Sequence, residues 1–455
     1  MRRISQLEVG LEMSPLAVAG RSWRPIHYLG SKLRLAEKIR ELLAQVDPKM
    51  GPVCDLFAGS GTVAARLASS RDVVAADIQE YSRVLCSAVL NPARITADEI
   101  QRIVAEAASS EFYRELTWAA EPLISQEQRR IALAQRGHLE PICELLENSP
   151  IILCNGGDSS LKSAIRESRR RLETKGFSRG PRTITLRHFG GVYFSYLQAV
   201  QLSTLVAQAH TQGKDRKDLF LAAVMSTASE VVNTVGKQFA QPLQARDSTG
   251  APKPHLIEKI SRDRQLDSFN IFSRWLEQYG SLPTTDHSHV ARRSDFITTL
   301  ERYCEDVGVI YADPPYTRDH YSRYYHVLET MCLCDEPQIS FGKADGRMKP
   351  LRGVYRNDRH QSPFCIKSQA PEAFEQMFSR ARKLGVPLVL SYSPLPTSSK
   401  PRPRVMTIES ISTLALRFFK TVDRVAVKGV THNKLNTIKH NSEASADAEL
   451  FLIFT

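Results

Sequence analysis

No stretch of 18 consecutive apolar residues occurs in the 455-residue sequence, so no segment has the length of a membrane-spanning helix. The start, Met1-Arg2-Arg3, is not followed by the apolar core of a secretory leader, and the expected location is the cytoplasm. Of the eight cysteines only Cys332 and Cys334 lie close together. Without a second pair at ligand spacing, they read as reduced structural thiols and no metal site is expected. No Gly-Lys-Ser or Gly-Lys-Thr follows any glycine loop, which excludes a P-loop nucleotide site.

What is present is a globular composition, 42% hydrophobic and 24% charged, in a chain long enough for more than one domain. The net charge is +12, and it is clustered. Residues 158–187 carry nine Lys/Arg against three acids, 343–367 seven against two, and 398–440 nine against two, so the rest of the chain is net acidic. Clustering of this kind favours a polyanion-binding surface over an evenly solvated one.

The most informative stretch is Asp313-Pro314-Pro315-Tyr316, which follows the apolar run Val307-Gly308-Val309-Ile310-Tyr311-Ala312. The run reads as a buried strand, and a carboxylate at the carboxyl end of a strand sits where α/β sheets place ligands. Two prolines stiffen the turn, so the Asp313 side chain and the Pro314 carbonyl become two acceptors facing one ligand, and Tyr316 adds a flat face. Two acceptors and a ring suit the exocyclic NH2 of an aromatic base.

Upstream, Tyr28-Leu29-Gly30-Ser31-Lys32 is a turn leading into an amphipathic stretch, with Lys32 placed near a helix N-terminus, where it meets a carboxylate in the functional reading. Val53-Cys54-Asp55-Leu56-Phe57-Ala58-Gly59-Ser60-Gly61-Thr62 reads as a strand, a glycine loop and the start of a helix. Gly59 and Gly61 let the backbone approach a ligand, but Ala64 stands where a dinucleotide fingerprint needs its third glycine, so a smaller adenosine-bearing ligand fits better. Arg71-Asp72-Val73-Val74-Ala75-Ala76-Asp77 reads as the next strand, ending in an acid placed for two ribose hydroxyls. Between about 100 and 287 the βαβ pattern gives way to helical stretches such as 219–235 and to the basic segment 162–187 with Arg169-Arg170-Arg171. This region also holds Tyr193-Phe194-Ser195-Tyr196 and a loop, 233–242, whose amides, Lys237 and Phe239 are candidates to read or wedge bases. The α/β pattern resumes at Ser294-Asp295-Phe296. An aromatic cluster, Tyr321, Tyr324, Tyr325 and His326, reads as a helix packing on the sheet with its first turn near the pocket, and 335–370 as a long basic loop, a candidate lid or DNA clamp. A helix over 371–384, a strand over 386–393, and a last strand pair over 422–430 and 448–454 with a basic polar loop at 431–440 complete the chain.

Taken together, these segments resemble an N6-adenine DNA methyltransferase of the Dam-like class, with its motifs in the alpha order. Tyr28 to Lys32 resembles motif X, Asp55 to Gly61 motif I, Asp77 motif II, Asp313 to Tyr316 motif IV, and Ser391-Tyr392-Ser393 stands where motif VI falls. The resemblance covers roughly the first hundred and the last 165 residues. It implies an α/β, Rossmann-like methyltransferase fold, a mixed seven-stranded sheet with a large, mainly helical inserted domain. The core is expected at 25–105 and 288–455, and a target-recognition, DNA-binding insert at 106–287. It further implies S-adenosyl-L-methionine as cofactor, held by Tyr28, Gly30, Lys32, Asp55, Phe57, Gly59 and Gly61, with Asp77 on the ribose and Asp295 and Phe296 at its adenine. A target adenine is flipped from duplex DNA and stacked on Tyr316 while Asp313 and Pro314 accept its amine hydrogens, with Pro315 keeping the turn rigid. Arg169, Arg170, Arg171 and Lys237 are the candidate DNA contacts.

The residues leave alternatives open. Methylation of cytosine N4 uses a similar motif, RNA is a second substrate class, and a catalytically silent DNA-binding subunit is a third reading. A cytosine-C5 enzyme is excluded, because no Pro-Cys pair occurs to supply its nucleophile. The biological settings that fit are restriction-modification, phage defence or epigenetic marking, with a restriction endonuclease or defence-system partner. Recognition sequence, partner nuclease and oligomeric state are not legible.

Overall fold

The computed structural model describes residues 17–18, 21–153, 156–318, 321–344, 346–393, 404–428 and 447–455. The basic polar loop expected at 431–440 lies outside the described residues, as does most of the lead-in before residue 25. The chain forms two compact units, one of Met1–Pro92, Leu282–Ser322 and His360–Thr455, the other of Ala93–Ser281 and Arg323–Arg359. The first boundary thus falls nearer 93 than 106 and the second nearer 281 than 287. A second excursion, 323–359, also joins the helical unit.

The first unit is built on a mixed seven-stranded sheet: β1 (Val53–Asp55), β2 (Val73–Asp77), β3 (His289–Arg293), β4 (Val309–Ala312), β5 (Leu388–Tyr392), β6 (Val422–Lys428) and β7 (Asp447–Phe454). Their spatial order is β3-β2-β1-β4-β5-β7-β6. The first five are parallel, and β7 runs antiparallel between β5 and β6. From β1 the chain winds outward to β2 and β3, then returns to start β4 on the other side of β1. That reversal leaves a crevice beyond the carboxyl ends of β1 and β4, where doubly wound sheets place ligands.

The local sequence explains these elements. β4 and β5 are buried along their whole length, as strands covered on both faces must be, and so appear as apolar runs, broken only by Ser391 in β5. Helix Ala370–Leu384 buries Ala373, Phe374, Met377, Phe378 and Ala381 along one face and ends at Gly385 in the left-handed conformation (φ 71°). Phe378 packs against Phe454 of β7 at 5.0 Å between tilted ring centres, and the core continues through Leu390, Phe419 and Leu452.

The second unit is built mainly of helices, among them Ala97–Ser109, Glu111–Gln135, Ser159–Thr174, Tyr196–Thr211, Lys214–Val231 and Ser268–Gly280. Thr96 and Glu99 form a capping box at the first of these, joining two backbone donors reciprocally to side chains. The Tyr193-Phe194-Ser195-Tyr196 stretch is core, its three rings wholly buried. Helix Tyr321–Leu333, expected to pack on the sheet, is divided between the units. Only Tyr321 and Ser322 belong to the first unit, and the rest lies in the helical one. Within 335–370, strands Phe341–Ala344 and Arg347–Pro350 pair as a hairpin, so that loop is partly structured.

At the centre of the helical unit Glu127 and Arg264 form a buried ion pair. Glu127 also accepts from the Tyr196 N–H at 2.7 Å, and Arg264 donates to Asn233 Oδ1 at 3.1 Å and the Gly191 carbonyl at 2.8 Å. Removing one member of such a pair strands the other in a low-dielectric interior. Arg264→Met is therefore expected to destabilise the helical unit by about 3–5 kcal/mol, measured by urea unfolding. An unchanged midpoint would show that the pair is not a structural anchor.

Candidate active site

Three loops of the first unit converge on one cavity of about 330 Å³: residues 28–32, the glycine loop after β1, and the tetrapeptide after β4. Asp77, Asp295, Phe296, Tyr321, Ser322 and His360 complete its wall. The sites proposed from the sequence in this unit therefore come together, apart from Gly61, which does not line the cavity.

The glycine loop is shaped by two left-handed glycines, Gly59 (φ 54°) and Gly61 (φ 74°). A Cβ on Gly59 would stand 2.6 Å from the Tyr28 hydroxyl, and one on Gly61 3.3 Å from the Cα of Cys86. Gly59 is thus required for backbone conformation and for the approach of Tyr28, whereas Gly61 lets helix Glu80–Leu90 pack closely. The Gly59 N–H donates to Asp77 Oδ2 at 3.1 Å, and the Gln79 N–H to Asp77 Oδ1 at 2.9 Å. Asp77 therefore joins the glycine loop to the start of the next helix while also lining the cavity. Asp295 caps helix Phe296–Arg302, accepting from the Ile297 and Thr298 N–H groups and from the Thr298 hydroxyl at 2.7–3.0 Å. Partial burial raises its pKa, but these hydrogen bonds outweigh that and bring it below the usual value. Phe296 lies 6.3 Å from Phe57, and buried Phe364 stands edge-on 5.4 and 5.2 Å from the two, making an apolar cluster of which Phe57 and Phe296 reach the cavity wall.

Lys32 is 4% exposed, and its Nζ lies 2.8 Å from Oδ2 of Asp313. The carboxylate expected for this lysine is thus the protein's own catalytic candidate. Lys32 also stands 5.8 Å from the centre of the Tyr316 ring. Pro314, Pro315 and Tyr316 all line the cavity. Asp55, at the end of β1, is 1% exposed, and its Oδ2 has no hydrogen-bond partner among the described residues. Burial first, and then the neighbouring Asp313 and Asp77 charges, push its pKa up to about 8.

Tyr321 and Ser322 line the cavity, as expected of a helix whose first turn lies near it, and His360, Ser362, Pro363 and Cys365, not singled out in the basic loop 335–370, close it. The Ser322 hydroxyl donates to the His360 carbonyl at 2.7 Å, tying that segment to the helix start.

In the helical unit the proposed DNA contacts separate. Arg169 turns inward to the Ile151 carbonyl. Arg171 pairs with Glu167, donates to the Trp118 carbonyl at 2.8 Å and lies 4.9 Å from the Trp118 ring centre. Only Arg170 is exposed, and it too pairs with Glu167. The helix displaces neighbours by about 100° each, so three consecutive arginines cannot share a face. Lys162 and Arg166 do share one with Arg170; both are exposed, with no ion-pair partner among the described residues. Lys237 is corrected more fully. Its ammonium meets Asp263 at 3.1 Å and the carbonyls of Glu230 and Val232 at 2.8 and 2.9 Å, which makes it a bracket inside the helical unit.

Among the described residues no group of three His, Cys, Asp or Glu is arranged to hold a metal ion, and no helix is long and apolar enough to cross a membrane. The cavity thus defines a class of site: a carboxylate, a carbonyl-bearing Pro-Pro turn and a ring at a switch point shared with a glycine loop. Comparison with known proteins narrows that class. Residues 28–146 match the family described as D12 class N6 adenine-specific DNA methyltransferases. Modification methylase LlaI of Lactococcus lactis subsp. lactis is 26% identical over 224 residues, 49% of this chain and 28% of that protein. The chain thus aligns with little more than a quarter of that relative's length. The family match includes the glycine loop and Asp77 and stops far short of Asp313, so it is the folded geometry that joins the tetrapeptide to them.

The raised Asp55 pKa has a signed consequence. The folded-state value lies above the ordinary 3.8, so the protonated form favours the fold; that contribution is complete below pH 4 and is lost as pH rises through about 8. Asp55→Asn, which carries no charge, is expected to gain on the wild type in melting temperature between pH 5 and pH 9 in the ligand-free protein. Parallel curves across that range would contradict a buried, like-charge-crowded Asp55.

Proposed function

We propose that the protein transfers a methyl group from S-adenosyl-L-methionine to N6 of adenine in duplex DNA. The observation that carries the reading is the meeting of Asp313, Pro314 and Tyr316 with the Gly59 loop and Asp77 in one cavity. The cofactor's fit is supported by the cavity's own chemistry. Asp77 and Asp313 outnumber Lys32, and the Asp55 oxygen without a hydrogen-bond partner among the described residues is a further polar atom for a ligand to meet. Phe57 and Phe296, backed by Phe364, give the cavity wall an apolar surface of the kind an adenine lies against. In the reading, Asp77 receives the ribose hydroxyls and the Asp295 turn borders the adenine. Bound there, the cofactor supplies an activated methyl group on a sulfonium.

The chain's residues then act on the amine. Its lone pair is delocalised into the base ring and is a weak nucleophile. Asp313 and the Pro314 carbonyl accept its two N–H bonds, which favours the tetrahedral nitrogen on which positive charge develops. Lys32, 2.8 Å from Asp313, holds the carboxylate in place. Tyr316 stacks on the base, whose extraction from the duplex costs a few kcal/mol. An acid at 313 favours adenine N6 over cytosine N4, where the motif often begins with Ser. Because the relative is a modification methylase, a role in modifying host DNA beside a restriction nuclease is the biological setting we favour.

Asp313→Asn is expected to lower turnover on duplex DNA by about 10²–10³-fold, while calorimetry still detects cofactor binding. Near-normal turnover would remove Asp313 from the chemistry. Gly59→Ala places a methyl group at a left-handed position 2.6 Å from the Tyr28 hydroxyl, so cofactor binding should weaken or vanish in a protein that still melts cooperatively. Unaltered affinity would move the cofactor elsewhere.

For DNA docking we favour the exposed stripe Lys162, Arg166 and Arg170 over the arginine run. Changing all three to Ala is expected to flatten the log-log salt dependence of duplex binding by up to about 2–3 units and to leave the modified sequence unchanged. An unaltered slope would make the stripe a solvated face.

A further inference from the structure

The Tyr316 ring is braced by a residue that does not line the cavity. The Arg404 guanidinium carbon lies 4.6 Å from the centre of that ring. Its Nε donates to the Ser393 carbonyl at 3.1 Å and its Nη2 to the Ser393 hydroxyl at 2.7 Å. Ser393, 3% exposed, directly follows β5, so the guanidinium is anchored at the end of a fully buried strand. The backbone is fastened at the same place. The Val405 N–H donates to the Tyr316 carbonyl at 3.1 Å, and Arg404 pairs with Thr317 in an isolated antiparallel bridge. Tyr392 of β5, whose ring is 5.3 Å from that of Tyr316, donates its hydroxyl to the Met406 carbonyl at 2.8 Å. Tyr316 and Lys32 line the cavity, whereas Arg404 does not.

We propose that Arg404 is a positioning residue for Tyr316: stacked on the ring and tied to Ser393 by two donors, it sets the plane that a base in the cavity must lie against. This rests on the methyl-transfer reading. The physical requirement is orientation. Asp313 and the Pro314 carbonyl can accept two N–H bonds from one amine only if the base plane is fixed, and that plane is set by the ring on which it stacks. A ring held by packing alone has freedom about χ1 and χ2. A planar cation on one face, with its fork engaged at a buried serine, removes that freedom. Lysine cannot substitute, because an ammonium has no plane to stack and cannot match the fork that meets the Ser393 carbonyl and hydroxyl together.

The test is a double-mutant cycle in the full-length protein, read as transfer of labelled methyl groups from S-adenosyl-L-methionine to unmethylated genomic DNA. Arg404→Ala is expected to lower kcat by about 10²-fold, the cost typical of a misoriented reacting group. KM for DNA and cofactor affinity should be unchanged, and Arg404→Lys should recover little of the loss. In a Tyr316→Leu background, Arg404→Ala should cost nothing further, because the residue it acts through is gone. Ser393→Ala, which removes one anchor and leaves the stacked cation, should show a smaller loss of kcat in the same sense. That variant decides the matter if Arg404→Ala fails to melt cooperatively. Three outcomes overturn the proposal: normal kcat in Arg404→Ala and Ser393→Ala, a loss that persists undiminished beside Tyr316→Leu, or a change confined to KM for DNA, which would make Arg404 a phosphate contact. If the wild type transfers no methyl group to any DNA, the methyl-transfer reading itself falls and Arg404 with it. An active wild type with an indifferent Arg404 refutes this inference alone.

Discussion

A lysine that is 4% exposed cannot exist without a counter-charge, and Lys32 finds it in Asp313 at 2.8 Å. That one contact ties the turn ahead of helix Ala36–Val46 to the end of β4, residues separated by most of the chain. It is not best understood as a source of stability, since the desolvation of two charges largely offsets their attraction. Its consequence is geometric: a carboxylate at the mouth of a strand is held in one place, facing the cavity that the glycine loop also lines. The surrounding charges then follow. Burial first, and then the neighbouring Asp313 and Asp77, raise the Asp55 pKa to about 8, so this acid on the cavity wall is held protonated near neutral pH.

The parts of this site that could be read in advance are those in which one short segment does its own work. The tetrapeptide 313–316, the Gly59 and Gly61 loop and Asp77 each follow an apolar strand, and strand period and turn chemistry were enough to place them. The last strand pair was legible for the same reason, from its alternating apolar runs. β3 was not read as a strand, because only His289 along it is fully buried and its last residues, Arg292 and Arg293, are exposed. A strand at the edge of a sheet, beyond β2, presents little apolar pattern to detect. His360 and its neighbours reach the cavity only through tertiary folding, and Arg404 matters only because Tyr316 and Ser393 happen to flank it. None of these carries a local signal.

The basic segment shows the opposite error, in which a sequence feature is real but its geometry is not linear. Arg169, Arg170 and Arg171 look like a patch in one dimension and diverge to three surroundings on a helix, while Lys162 and Arg166, four residues apart and unremarked in the sequence, fall in line with Arg170. Lys237 failed for a related reason. A lysine in a loop with many amides reads as a surface contact until Asp263 and two free helix-end carbonyls are found to surround it.

The central claim is that the Asp313 turn and the Gly59 loop serve one reaction, methylation of adenine N6. It is tested most directly by incubating the purified protein with S-adenosyl-L-methionine and unmethylated duplex DNA, digesting the DNA to nucleosides, and identifying the methylated base by mass spectrometry. The predicted product is N6-methyladenine, formed far more slowly when Asp313 is replaced by Asn. N4-methylcytosine in its place, or N6-methyladenine formed at an undiminished rate by the Asp313→Asn protein, would contradict it.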